Sequence, residues 1–353
     1  MMMNDSKQKT HRLPSEWEGD RAVIVAWPHA NTDWNYMLPQ VEECYDSLVR
    51  AICRHAVAVI IAPETKPLRQ RFKDIDKSRI LYFDVATNDT WTRDYGVICT
   101  EMPDGSVILN DFGFNAWGGK FESSLDNAVT RKMFDAGLIK GEYRDLTDFI
   151  LEGGSIESDG NGTILTTSSC LLTDTRNPRF SKSEIEEKLH DTLCAKKVLW
   201  LDRGEMIGDD TDGHIDTIAR IAPFNTILYN GTGWGTEPTE QSHALEGVMD
   251  QLRTFTNADG EAFSLIELPL PDPIMDEDDG HQLPATYANF LIVNDAILMP
   301  TYGQPGNDFR AEMALKVAFP DHTIERVDCR ALIRQHGSLH CATMQIPQSI
   351  LPI

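Results

Sequence analysis

Gly162-Thr-Ile-Leu-Thr166 is a short apolar run, β-branched around an Ile-Leu step and bounded by glycine. The same step recurs in Ser106-Val-Ile-Leu-Asn110, Asn225-Thr-Ile-Leu-Tyr229 and Asp295-Ala-Ile-Leu-Met299. Runs of this length and composition between turn-forming residues read as buried strands. Their isoleucines, 108, 164, 227 and 297, follow one another at intervals of 56, 63 and 70 residues. Between the strands lie helical patterns. One spans Ser181 to His190, where Ser183 stands three residues before Glu186 in the spacing of a capping box. Another spans His243 to Thr254, with apolar residues at 244, 245, 248, 249 and 252. Each unit reads as strands, a helix and more strands. A period near 60 over a chain of 353 residues predicts an α/β array of about five units.

No low-complexity linker divides the chain. The polar stretch from Pro271 to Gln282 has apolar, strand-like segments on both sides and reads as a loop inside one domain. Residues 1–353 are therefore expected to form a single domain, with residues 1–12 as a flexible N-terminal tail.

Composition narrows the function classes. Hydrophobic residues make up 41% and charged residues 25%, as in ordinary globular proteins. Thirty-two basic against 55 acidic residues leave a net charge of −23. That charge repels nucleic acid and anionic lipid and can steer a cationic ligand. The basic amino terminus has no apolar stretch behind it, and no run approaches the ~18 apolar residues that a spanning helix needs. A cytoplasmic protein without nucleic-acid or membrane partners is expected. Seven cysteines, at 44, 53, 99, 170, 194, 329 and 341, never form Cys-x-x-Cys. Neither a disulfide framework nor a structural zinc site is expected, and free cysteines default to small buried hydrophobes.

Four segments carry chemistry. In Gly208-Asp-Asp-Thr-Asp-Gly-His-Ile-Asp216, residues Asp212, His214 and Asp216 alternate, so an extended backbone would project all three from one face. The His-x-Asp pair suits a metal ligand set or a base beside a cation-binding carboxylate. In Asn88-Asp-Thr-Trp-Thr-Arg-Asp-Tyr-Gly96, Trp91 beside Arg93 and Asp94 offers an aromatic face and a carboxylate to a planar cation. Leu151-Glu-Gly-Gly-Ser-Ile156 sets an acid, Glu152, before Gly153 and Gly154, whose small size permits close approach by another group. Finally, Cys341 follows His340 in Gln335-His-Gly-Ser-Leu-His-Cys-Ala-Thr-Met-Gln-Ile-Pro347. A cysteine nucleophile needs a stabilised thiolate and a nearby base.

Taken in order, these segments resemble the agmatine deiminases and the related bacterial-type peptidylarginine deiminases of the guanidino-modifying superfamily. The resemblance runs from Leu13-Pro-Ser-Glu-Trp-Glu18 and Ala26-Trp-Pro-His29 through Trp91-Thr-Arg-Asp94, Glu152-Gly-Gly-Ser155, Asp212-Gly-His-Ile-Asp216 and Tyr302-Gly303 to His340-Cys-Ala-Thr343. It implies a five-bladed α/β propeller of ββαβ units with pseudo-five-fold symmetry and a central site. It implies Cys341 as the nucleophile on the guanidinium carbon, and His214 as proton donor to departing ammonia and then base toward water. Glu152 would hold His214, and Asp94 and Asp216 would bind the guanidinium nitrogens. Trp91, with Arg93 and Gly153 from the same motifs, would contact the substrate. No metal or cofactor is required, and a homodimer is expected by resemblance. Two stretches depart from the agmatine deiminase pattern: Tyr95-Gly96-Val97 stands where that group has Thr-Gly-Pro, and Ala342-Thr343-Met344-Gln345 where it has Ile-Thr-Gln-Gln.

The implied reaction converts agmatine to N-carbamoylputrescine and ammonia through a covalent thiouronium on Cys341. The alternatives are deimination of peptidyl- or free arginine at the same site, amidino transfer through the same intermediate, and a metal-dependent hydrolase built on His214 and Asp216.

Overall fold

Each of the four Ile-Leu runs is the middle strand of its own three-stranded sheet. Val107–Gly113 pairs antiparallel with Ile98–Glu101 and parallel with Glu142–Ile150. Thr163–Thr167 lies likewise between Ile156–Ser158 and Lys197–Leu201, and Thr226–Asn230 between Ala219–Ala222 and Ser264–Leu268. Ala296–Thr301 lies between Leu291–Val293 and Thr323–Asp328. A middle strand has neighbours on both edges and cover on both faces, which is why these runs are continuously apolar. All four are buried along their whole length. In every case the antiparallel partner comes first in the chain, and the parallel partner follows after one or more helices, as a parallel connection requires.

The fifth sheet closes the chain on itself. Arg21–Ala26 pairs parallel with Val57–Ala62, which pairs parallel with Ile80–Asp84, and antiparallel with the C-terminal strand Met344–Pro347. Arg21 faces Pro347 and Ile24 faces Met344, so the two ends of the chain share one register. The architecture is mixed α/β, with five small sheets of three or four strands. The computed structural model describes residues 10–232 and 238–353. Of the expected tail, residues 1–9 lie outside the described residues, whereas Arg12 exchanges backbone hydrogen bonds with Glu101. Among the described residues no helix is long and apolar enough to cross a membrane.

Three local expectations need correction. The helix at Lys182–Leu193 is capped by Ser181 and Glu184, not by Ser183 and Glu186. Ser181 is extended and so can turn its hydroxyl to the first turn, which Ser183 already occupies. The pattern from His243 to Thr254 splits into Glu240–Ala244 and Val248–Leu252, because Gly247 between them has a φ of +83°. The segment from Gly208 to Asp216 is not extended: Asp212 and Gly213 have φ of +66° and +89°, and a 3-10 turn follows at Ile215–Thr217. Residues 271–282 form a loop, as read, with one isolated bridge between Met275 and Gln282.

Candidate active site

One site residue precedes the outer, antiparallel strand of each sheet. Asp94 lies four residues before Ile98–Glu101, and Glu152 four before Ile156–Ser158. Asp216 lies three before Ala219–Ala222, Asn289 two before Leu291–Val293, and Cys341 three before Met344–Pro347. Five equivalent turns thus deliver five polar side chains to one place, and all five are buried.

Cys341 Sγ lies 3.7 Å from Asp216 Oδ2. Asn289 fixes the turn that carries Cys341: its Oδ1 accepts from the His340 amide at 2.9 Å and from the Cys341 amide at 3.3 Å, while Nδ2 lies 3.2 Å from Sγ. Burial, with Asp216 and Asp94 nearby, pushes the Cys341 thiol far up, so it is protonated in the free site. Asp94 accepts from the Trp117 indole at 2.9 Å and from the Gly154 amide at 3.0 Å, and its Oδ1 lies 3.6 Å from His214 Nδ1. Burial raises its pKa to about 6, with Asp216 adding to the rise and His214 opposing it. Burial opposes charge on His214, but the carboxylate of Asp94, supported by Cys170 and Glu152, outweighs it and holds the imidazole well above its usual range. Asp216 behaves oppositely to Asp94. Burial would raise it, yet the His340 ring, 2.8 Å from Oδ2, keeps it below the usual carboxylate range.

Glu152 is fully buried, and its Oε1 accepts from Arg176 Nε at 2.8 Å. Arg176 also pairs with Asp212. Glu152 Oε2, both ring nitrogens of His214 and Asp216 Oδ1 are buried with no hydrogen-bond partner among the described residues. Buried polar atoms are nearly always partnered, so such a concentration marks a place that awaits a ligand.

A cavity of about 370 Å³ opens onto Cys341 and Asp94. Trp91 forms one wall, braced by Trp34 at 5.7 Å between ring centres. Gly337 lets the chain pass this indole, since a Cβ there would collide with the ring. The wall also carries Asp33, Asp89 and Asp210. Its guanidinium, Arg334, is paired with Asp276 and Asp278.

The structure therefore brings Cys341, His214, Glu152, Asp94, Asp216 and Trp91 together. Arg93 is a correction: its guanidinium points away from the cavity, pairing with Glu16 at 2.9 Å and with Gln345. It lines a separate cavity of about 80 Å³ together with Gly153 and Met344. Gly153 is the second correction, because Gly154 is the glycine that faces the site. A Cβ on Gly154 would stand 2.7 Å from His214 Nδ1 and 2.8 Å from Asp94 Oδ1, whereas one on Gly153 would strike the Arg93 carbonyl. Successive residues in a tight turn point to opposite sides, and the motif's spacing does not tell which side is in. Asp212 leaves the face expected for it and pairs with Arg176 and Lys120. Tyr95 and Met344, at the departures from the agmatine deiminase pattern, act from behind the wall. The Tyr95 hydroxyl donates to the Asp89 carbonyl at 2.9 Å, and Met344 packs where a Gly96 side chain would be.

Sequence reasoning missed Asn289, Trp117, Arg176 and His340. Asn289 had a signal available: the period that places the other four turns requires a fifth before Leu291–Val293.

Two groups among the described residues bring ligating atoms within 4.8 Å of one another, Glu16–Glu157–His340 and Glu152–Cys170–His214. In the first, Arg220 already donates to Glu16 at 2.7 Å and to Glu157 at 2.5 Å. The metal pair His214–Asp216 is not among them: His214 is grouped with Glu152 and Cys170, while Asp216 is tied to His340.

The sequence pattern of the Porphyromonas-type peptidyl-arginine deiminase family matches residues 12–347. An agmatine deiminase of Pseudomonas aeruginosa is 31% identical, with 95% of each chain covered. Among solved structures, a Porphyromonas gingivalis protein provisionally assigned as an arginine deiminase superposes with a TM-score of 0.88 at 39% identity, covering 97% of this chain and 100% of that one. A cysteine-to-serine variant of agmatine deiminase from C. jejuni, with substrate bound, superposes with a TM-score of 0.84 at 36% identity, covering 95% and 96%.

Proposed function

The chain belongs to the Porphyromonas-type peptidyl-arginine deiminase family, and from that premise we propose that it is an agmatine deiminase, a hydrolase of the carbon–nitrogen bond in a linear amidine. The observation that carries this reading is Cys341 Sγ, 3.7 Å from Asp216 Oδ2, on a cavity wall shared with Asp94. A guanidinium presents planar N–H edges, and two carboxylates on either side of a thiol match those edges while aiming the central carbon at sulfur.

The electrostatics suit a site that is activated by its substrate. In the free cavity burial, together with Asp216 and Asp94, holds the Cys341 thiol protonated, while the carboxylate of Asp94 overcomes burial to hold the His214 imidazole charged. A bound cation neutralises those carboxylates and favours the thiolate. The thiol then releases its proton to solvent, and sulfur attacks the guanidinium carbon, forming the C–S bond and a tetrahedral adduct as the C–N π pair moves onto nitrogen. His214 gives its proton to one terminal nitrogen, the C–N bond breaks, and ammonia leaves an S-alkylthiouronium. His214 next takes a proton from water as its oxygen bonds to the same carbon. Collapse of the second adduct breaks the C–S bond, passes the hydroxyl proton to the departing sulfur, and releases N-carbamoylputrescine with the thiol restored. Glu152, held by Arg176, keeps the charged form of His214 favourable, and Trp91 packs along the aliphatic stem.

The lining of the cavity favours an amine over an α-carboxylate. It carries Asp33, Asp89 and Asp210, while Arg334 is engaged by two aspartates. A free arginine would bring its carboxylate against this acidic wall. The likeness to the Porphyromonas gingivalis protein keeps arginine as the competing substrate, and ammonia release from agmatine, arginine and an arginyl peptide decides between them. Faster release from either arginine substrate overturns the agmatine reading.

In the same reading the five sheets are the blades of a five-bladed α/β propeller of ββαβ units around a pseudo-five-fold axis. Two features support it: the equivalent place of the five site residues in their sheets, and the closure of the first sheet by the last strand.

A further inference from the structure

Cys170 forms and breaks no bond in the chemistry described above, yet it lies beside two of the residues that carry it. It sits on the short helix Ser168–Leu171, which follows the middle strand Thr163–Thr167, and it is fully buried. Its Sγ, a carboxylate oxygen of Glu152 and a ring nitrogen of His214 all lie within 4.8 Å of one another, and all three residues are buried. Two of the partners present buried atoms without hydrogen bonds among the described residues, Glu152 Oε2 and the His214 ring nitrogens. We propose that Glu152, Cys170 and His214 form a binding site for a divalent cation of zinc type, and that a metal held there inhibits the enzyme.

The donor set decides the class of ion. One sulfur, one imidazole nitrogen and one carboxylate oxygen suit zinc or its spectroscopic stand-in cobalt, and not the all-oxygen cations magnesium and calcium. Zinc–ligand bonds of about 2.0–2.3 Å draw three such atoms together with small side-chain rotations. Three protein ligands leave the fourth tetrahedral position to water. Arg176 holds Glu152 Oε1 and shares its charge with Asp212, which leaves Oε2, without a hydrogen-bond partner among the described residues, for an ion.

Binding would displace the Cys170 thiol proton and the His214 proton, and it would take the lone pair that the reaction needs. That inhibitory step rests on the deiminase reading; the binding itself does not. The site is distinct from Cys341, whose close partners are Asp216 and Asn289.

The test uses the full-length protein freed of metal, with Co²⁺ alone as the probe. A thiolate-to-cobalt charge-transfer band is expected in the wild type and in Cys341→Ser, and it is expected to vanish in Cys170→Ala. Thermal unfolding checks that the alanine protein is folded, and Cys170→Ser serves as the second variant. Zn²⁺ is expected to inhibit ammonia release from agmatine, with at least a tenfold weaker effect on Cys170→Ala, in line with the ~10–100-fold that even outer-shell losses cost. A band that persists in both Cys170 variants but disappears in Cys341→Ser overturns the proposal, as does the absence of a band in the wild type. The cobalt spectrum needs no substrate, so it stands or falls separately from the agmatine assignment.

Discussion

His340 Nδ1 lies 2.8 Å from Asp216 Oδ2, while Nε2 on the other side of the ring lies 2.9 Å from Glu16 Oε1. One buried imidazole therefore ties Asp216, proposed above to meet the guanidinium, to a carboxylate behind the site. Glu16 is itself clamped by Arg93 at 2.9 Å and by Arg220 at 2.7 Å. Asp216 is left with Oδ2 fixed and with Oδ1 unpartnered among the described residues, the oxygen that the proposed reaction turns to the substrate.

His340 is thus a positioning residue for Asp216. His340→Asn is expected to lower kcat by on the order of 100-fold, the effect of misplacing a reacting group by about an ångström. Glu16→Gln, which keeps the hydrogen-bonding shape, is expected to lose much less. Steady-state kinetics of both variants with agmatine check this, and equal losses would assign His340 a purely structural part.

Asp89, on the cavity wall, is raised to about 7 by burial, with Asp33 adding to the rise. It becomes an anion only as pH rises through that value, whereas both ends of agmatine stay cationic. KM for agmatine is therefore expected to fall between about pH 6 and pH 8. Asp89→Asn is expected to remove the trend. A wild-type KM that is flat over this range contradicts the placement of the amine end.

Asp126 holds the same segment from behind, accepting from the Asn88 amide at 2.6 Å and from the Asp89 amide at 3.1 Å. Burial lifts its pKa from the ordinary 3.8 to about 8. Between those values the folded chain keeps a proton that the unfolded chain has released. Stability should then fall as pH rises toward about 8, by up to ~1.4 kcal/mol per pH unit for one such group, and level off above it. Denaturant unfolding at several pH values is expected to show this slope and its reduction in Asp126→Asn.

The repeat was legible because middle strands are buried on both faces, so their apolar runs stand out without any long-range information. The first sheet was not found this way: its strands Arg21–Ala26 and Val57–Ala62 lack the Ile-Leu step, and its fourth strand comes from the opposite end of the chain. The acids and His214 were legible because such groups are costly to bury without a purpose, whereas Cys341, of a residue type that is commonly buried, was singled out only by the motifs it accompanies. Arg93 and Gly153 were misplaced because neighbours in a turn face opposite sides. Arg176 and Trp117 reach the site through contacts 24 and 23 residues away in sequence, which no local motif records.

Arg176 and Glu152 form a fully buried ion pair. Arg176→Ala leaves the Glu152 carboxylate without its cation, and removing one partner of such a pair costs ~3–5 kcal/mol. Chemical denaturation is expected to register that loss together with reduced activity, and a loss below about 1 kcal/mol would mean that water replaces the guanidinium.

Everything proposed for the reaction passes through one sulfur atom, so ammonia release from agmatine by Cys341→Ser tests it most directly. The folded variant is expected to bind agmatine and release no ammonia, while the wild type turns it over without added metal. Sustained turnover by Cys341→Ser would remove the thiouronium and with it the role given to Cys341.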